Sequence, residues 1–207
     1  MEETYTVGMA LFDFIPNIAF LVGAFFLVKL SFLLRGKPCA RMLMAGTALV
    51  FVGGTLKALW KLLYATGVAD IQLFSQAQFV LLAPGFLGML ISVMLLAREQ
   101  RRKGTTSLYL IAPWKIPLLA VMTLASLGAQ GILVYVAFRR GARVAAYAFI
   151  IAVLCMLGMS GMASGSQTVA RQWIEQSINA VGQIAFATGS YLLYRSFIGI
   201  GNEVSCV

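Results

Sequence analysis

The chain has 207 residues, of which 60% are hydrophobic and only 11% charged, and its mean hydropathy is +0.89. An ordinary soluble domain carries roughly 25% charged and 45–50% apolar residues, so the composition argues against a soluble fold and places the chain among multi-pass membrane proteins. The net charge of +9 would suggest nucleic acid in a soluble protein. Here no basic stripe with interleaved aromatics exists, and the Lys and Arg residues gather at the ends of apolar runs, where they act as topology signals facing anionic lipid.

A helix needs about 20 mostly apolar residues to cross a bilayer, and six runs meet that length. The first, 8–34, follows an acidic start with Glu2 and Glu3 and is too long for a cleaved signal, so it is expected to stay as a span. It carries Asp13 and Asn17 one turn apart. The second, 42–66, holds Lys57 and Lys61 with Trp60 and Tyr64 on one face. The third, 74–97, opens with Gln76 and Gln78 and contains Pro84, which should kink it. TTSLYLIAPWKIP, with Tyr109 and Trp114 at headgroup level, can extend the start of the fourth run, 115–138, as an interfacial segment. The fifth, 144–163, leads into GMSGMASGS, which lacks the context of a phosphate loop and reads as a flexible turn. The sixth is 173–197. Glycines such as Gly46, Gly53, Gly54, Gly85 and Gly88 offer small faces for close helix approach. The loops are short, so one domain over 1–207 is expected.

Orientation follows from Lys and Arg. RGKPCAR and REQRRKG are strongly basic, whereas the N-terminus and ATGVADIQ hold Glu2, Glu3 and Asp70. The positive-inside rule then puts both termini outside an inner-membrane-type bilayer. One loop disagrees: FRRGAR, with Arg139, Arg140 and Arg143, falls on the outer side. A faint internal duplication with an offset near one hundred residues would account for it. Ile15-Pro16 matches Ile116-Pro117, RGKPCAR matches RRGAR, and Gln76 matches Gln176. With three spans per unit, halves at 1–100 and 105–199 would be inverted, as in many secondary transporters.

Chemistry is limited by what is missing. Histidine is absent, and Cys39, Cys155 and Cys206 show no metal spacing, which removes haem, histidine-based zinc sites and a histidine base. No metal, cofactor or catalytic residue is expected. Among the acids only Asp13 and Glu175 fall within spans, and this topology separates them across the membrane, so an enzyme is poorly supported.

Two polar sets remain. Arg171, Glu175, Asn179 and Gln183 follow one another at four-residue steps, drifting about 40° each time, and form one stripe widened by Gln172 and Gln176. A charge facing lipid costs about 2.5–3.5 kcal/mol on insertion scales, so the stripe should face protein or water. Interhelical packing and a polar cleft explain it about equally well. The second set is Asp13, Asn17, Lys57, Lys61 and Gln76 near the outer ends of spans 1 to 3. Lys57 is too deep to reach the surface and wants a partner. Lys57–Asp13 is the first expected pair and Lys61–Asp70 the second.

The sequence therefore predicts an all-α integral membrane bundle of six helices, arranged as two inverted three-helix halves if the duplication holds. It would bind or transport a small polar or amphipathic solute. The alternative is a non-transporting accessory or assembly subunit. The lipid bilayer is the one partner the composition implies, and the chain is compatible with homo- or hetero-oligomers.

Overall fold

The computed structural model describes residues 6–97, 115–162 and 168–203. Every element within them is a helix: α1 (Val7–Phe12), α2 (Phe14–Arg35), α3 (Lys37–Ala65), α4 (Gln72–Ala97), α5 (Lys115–Arg139), α6 (Arg143–Met162) and α7 (Val169–Glu203). The expected interfacial residues Tyr109 and Trp114, residues 163–166 of the expected flexible turn, and Cys206 lie outside the described residues, whereas Gly158–Met162, expected in that turn, continue α6 as helix.

Each apolar run is helical, which satisfies its backbone N–H and C=O groups within the segment, as surrounding hydrocarbon would demand. The first run is interrupted: Thr6 Oγ1 caps α1 by accepting from the Met9 amide at 3.4 Å, and Asp13 forms the link to α2. Gly36 and Gly141, at φ 75° and 73°, make the sharp turns after α2 and α5, a left-handed conformation that glycine adopts without steric cost. Pro84 lies on the exposed face of α4, so the hydrogen bond it removes is missing on the outer surface.

Four helical segments are long and apolar enough to cross a membrane: Val7–Arg35, Lys37–Ala65, Gln72–Ala97 and Ala120–Arg139. The apolar stretch of α6, Arg143–Met159, is shorter. The 35-residue α7 is long enough but is diluted by its polar stripe. Large apolar side chains such as Ile18, Phe25, Val80, Leu124 and Leu154 are exposed around the outside. Apolar exposure on that scale belongs to a lipid-facing surface.

The helices form a closed ring. Each packs on the next in sequence from α2 to α7, and α7 returns to α2, while α1 leans on α2, α3 and α7. Small residues set the closest approaches. A Cβ on Gly46 would lie 2.8 Å from the Gly85 carbonyl oxygen and 3.0 Å from the Met89 amide, and one on Gly182 would lie 2.9 Å from Cys155 Cβ. Phe20, Phe149 and Phe186 fill the core between α2, α6 and α7.

The relative directions overturn one expectation. Phe12 meets Trp173, Phe20 stacks on Phe186, and Phe26 touches Tyr191 and Tyr194. Residue numbers rise together along both helices, so α2 and α7 are parallel. The turns at Gly36, 66–71 and 140–142 join antiparallel neighbours, as seen where Cys39 meets Ser92, and α6 is antiparallel to α7, as seen where Phe149 meets Gly189 and Cys155 meets Gly182. It follows that α4 and α5, which pack together, also run parallel. Ala97 is therefore at the end of the bundle opposite to Lys115. The eighteen steps from Ala97 to Lys115 reach roughly 60 Å when extended, enough for the roughly 38 Å length of a 25-residue helix.

The halves α2–α4 and α5–α7 thus start at the same end and are not inverted. Each matched pair is at a common end: Ile15-Pro16 with Ile116-Pro117 and Gln76 with Gln176 at the near end, where α2 begins, and the turns at Gly36 and Gly141 at the far end. The two termini, expected on one side, are at opposite ends, with Val7 near and Glu203 far.

The close crossing of α3 and α4 yields a direct test. Gly46→Val should lower stability by about 1–3 kcal/mol through overpacking against backbone. Gly131→Ala, which meets nothing within 4 Å, should leave the melting temperature in detergent unchanged or slightly raised.

Candidate functional site

The parallel pairing of α2 and α7 brings both polar sets to the near end. Asp13 sits in the α1–α2 link, where its amide donates to the Met9 carbonyl at 3.2 Å. Its carboxylate lies 2.6 Å from Lys61 Nζ, and both side chains are less than a tenth exposed. Lys57, one turn deeper on α3, adds a second favourable charge to Asp13. Asn17 is one turn below Asp13 and donates from Nδ2 to the Asp13 carbonyl oxygen at 3.2 Å. Its Oδ1 fits over Gly54, where any Cβ would collide with it. Gly54 is thus the recess that lets an amide reach between α2 and α3.

The expected pairings exchange partners. The close bond of Asp13 is to Lys61, not to Lys57. Asp70, expected to meet Lys61, instead accepts from Trp60 Nε1 at 2.9 Å, with Tyr64 beside the indole at 5.9 Å. Gln76 is exposed at the start of α4, and the half-buried glutamine there is Gln78.

On α7 the outer part of the stripe has a structural role. Arg171 Nε lies 3.3 Å from Glu175 Oε1, with both side chains a fifth to a quarter exposed. Arg171 Nη2 also donates to the Met162 carbonyl at the end of α6. A cation at a helix C-terminus meets unpaired carbonyls and the negative end of the macrodipole, so this arginine fastens α6 to α7. Asn179 and Gln183 are half-buried. The most buried amides are Gln172 and Gln176, at 6% and 9% exposure, which the sequence reading placed only at the margin of the stripe. Gln172 Oε1 has no hydrogen-bond partner among the described residues, and neither does the buried Gln130 Oε1 on α5. Their own signal was present in the i, i+4 repeat of 172 and 176, one residue or 100° away from the charged pair.

Elsewhere the buried hydroxyls largely satisfy themselves. Ser92 donates to the Gly88 carbonyl and Ser190 to the Phe186 carbonyl, both at 2.8 Å. These are bonds within a helix and ask for no ligand. The remaining buried polar atoms without a partner among the described residues are Ser31 Oγ and Arg35 Nε and Nη2 toward the far end of α2, while the near end gathers the charged and amide side chains of α2, α3 and α7, with α1 packed against all three. Among the described residues no three His, Cys, Asp or Glu side chains come close enough to hold a metal ion. Asp13 and Glu175, expected on opposite sides, share this end.

A buried pair of this kind is strongly destabilising to break and cheap to replace. Lys61→Met should cost about 3–5 kcal/mol, and Lys61→Met with Asp13→Leu should recover most of it; a double-mutant cycle in detergent melts reads the coupling. Additive losses would remove the pair from the account of the site. No family model, curated protein or solved structure matches the chain, so the functional reading rests on this geometry alone.

Proposed function

We propose that the chain is a single membrane domain whose six long helices, α2 to α7, all cross the bilayer of a plasma membrane, and that it binds or transports a small polar or amphipathic solute at its near end. The far end faces the cytoplasm. Arg35, Lys37, Arg41, Arg139, Arg140 and Arg143 gather there, and REQRRKG follows directly on Ala97. At the near end the cations are matched by acids, Lys61 with Asp13 and Arg171 with Glu175. FRRGAR, the loop that contradicted the positive-inside rule, then agrees with it. With Ala97 at the far end and Lys115 at the near end, the amino end is outside and the carboxyl end inside. Three-helix halves of like orientation are the arrangement of parallel repeats, which share an axis along the membrane normal.

The observation that carries the solute reading is the meeting of one carboxylate, Asp13, with Lys61 and with Lys57 one turn deeper, at the end of the bundle that also holds Asn17, Gln172 and Gln176. Two basic side chains at one carboxylate form a charged, hydrogen-bonding place that suits a small solute bearing an anionic group, either an anion or a zwitterion. Asn17, Gln172 and Gln176 supply neutral donors and acceptors to fix its orientation.

Thermal-shift screening of the purified protein tests this, since a solute that binds only the folded state stabilises it by mass action. Amino acids and small carboxylates should raise the melting temperature and simple amines should not, and Lys57→Met should abolish the shift. If no solute class shifts it, the accessory-subunit reading prevails. Topology is tested separately in a background without native cysteines. Cysteines at 37 and 141 should react with an impermeant reagent only from the cytoplasmic side, and cysteines at 67 and 168 only from outside. Labelling of 37 and 141 from opposite sides would restore the inverted arrangement.

A further inference from the structure

At the far end, α2, α3 and α7 enclose a groove of about 590 Å³. Its wall is apolar, with Phe32 and Leu33 from α2, Met44 from α3 and Ile198 from α7, all exposed on the outer surface of the ring. Its rim carries three cations, Lys29 from α2 and Lys37 and Arg41 from α3. The carboxylates whose side chains are described, Asp13, Asp70 and Glu175, all lie at the near end, away from this rim.

We propose that this groove holds an anionic phospholipid, its phosphate among Lys29, Lys37 and Arg41 and its acyl chains along Phe32, Leu33 and Met44. Lys29 makes the strongest case. It lies six residues, or about 9 Å, inside the end of α2. Side chains on a helix lean toward its N-terminus, which for α2 is the near end, so Lys29 leans into the bilayer and away from the surface at which it could be hydrated. Its Nζ rests 4.5 Å from the centre of the Phe25 ring, one turn deeper still. A lipid-facing ammonium at that depth is costly unless an anion comes to it.

The start of α3 adds to the demand. Gly36 provides no side-chain cap, and Lys37 and Arg41 stand in the first turns with no acid, where the helix dipole is already positive. Those cations oppose the stability of their own helix, and an anion there satisfies the dipole and the side chains together. A free inorganic anion would answer the charge and leave the apolar wall unused. A second copy of the chain would bring its own basic far end against this one. A phospholipid from the cytoplasmic leaflet satisfies the charge, the apolar wall and the depth at once.

The test uses the full-length protein in nanodiscs. With Met44→Trp, fluorescence should be quenched more by brominated-chain phosphatidylglycerol than by the same mole fraction of brominated-chain phosphatidylcholine. The preference should be at least about tenfold in apparent affinity. Lys29→Gln with Lys37→Gln and Arg41→Gln should remove it, each charge near an anionic surface being worth about a factor of five. Arg139→Gln with Arg140→Gln and Arg143→Gln, the same charge loss at the same end, should not. If the triple variant fails to fold, Lys29→Met alone should still lose about fivefold. Equal quenching by the two lipids, equal loss in the control variant, displacement by millimolar inorganic phosphate, or a groove protected only in cross-linked dimers would each overturn the proposal.

Discussion

The seating of α7 alongside α2, in the same direction, is the constraint on which the remainder of the bundle depends. It is made possible by Gly23, where a Cβ would meet the Phe186 ring at 2.7 Å and the Ala187 backbone at 3.0 Å. Phe186 fills that notch and stacks on Phe20, so the two helices cannot slide or reverse without losing their densest contact. Once α7 is parallel to α2, the antiparallel hairpins on either side leave α4 and α5 no choice but to run parallel.

Charge then sorts itself by end. At the far end the turns after α2 and α5 carry Arg and Lys without described acids, and aromatic rings stand in as partners: Arg140 lies 3.7 Å from the centre of the Phe197 ring, and Lys29 sits over Phe25. Cation–π contacts of this kind suit a surface where carboxylates are scarce. At the near end the opposite holds, and cations are buried or half-buried beside acids. Basic residues gathered at one end, with cations set beside acids at the other, form the charge pattern that the positive-inside rule would orient in a membrane whose cytoplasmic surface is anionic.

Within the bundle, polar groups fall into two kinds. Ser92, Ser190 and Thr47 return their hydroxyl hydrogens to carbonyls of their own helix and are chemically closed. Asp13, Lys57 and Lys61 come from different elements and depend on one another's placement. The α1–α2 break is what permits this, since it sets Asp13 in a turn under a short cap helix. A straight helix through position 13 would keep the carboxylate on a fixed rotation relative to Asn17 and leave α1 without its contacts to α3 and α7.

Much of the architecture was legible before any coordinates. The six apolar runs predicted helices whose ends differ from those observed by about five residues or fewer, apart from the longer C-terminal end of α7, because a segment in hydrocarbon must satisfy its own backbone wherever it packs. That Asp13 needs a lysine of the second span also followed from local physical cost alone. Which lysine bonds Asp13, and whether Gln172 and Gln176 or Arg171 and Glu175 turn inward, did not. A rotation of 100° or a shift of one turn changes the answer, and only packing against α2, α3 and α6 sets rotation and depth. The direction of the second half was hidden for the same kind of reason. A connector between two apolar runs reads the same in sequence whether it turns back or crosses, so sequence alone determined the helices, while the glycine-notched contact between α2 and α7 decided how they point.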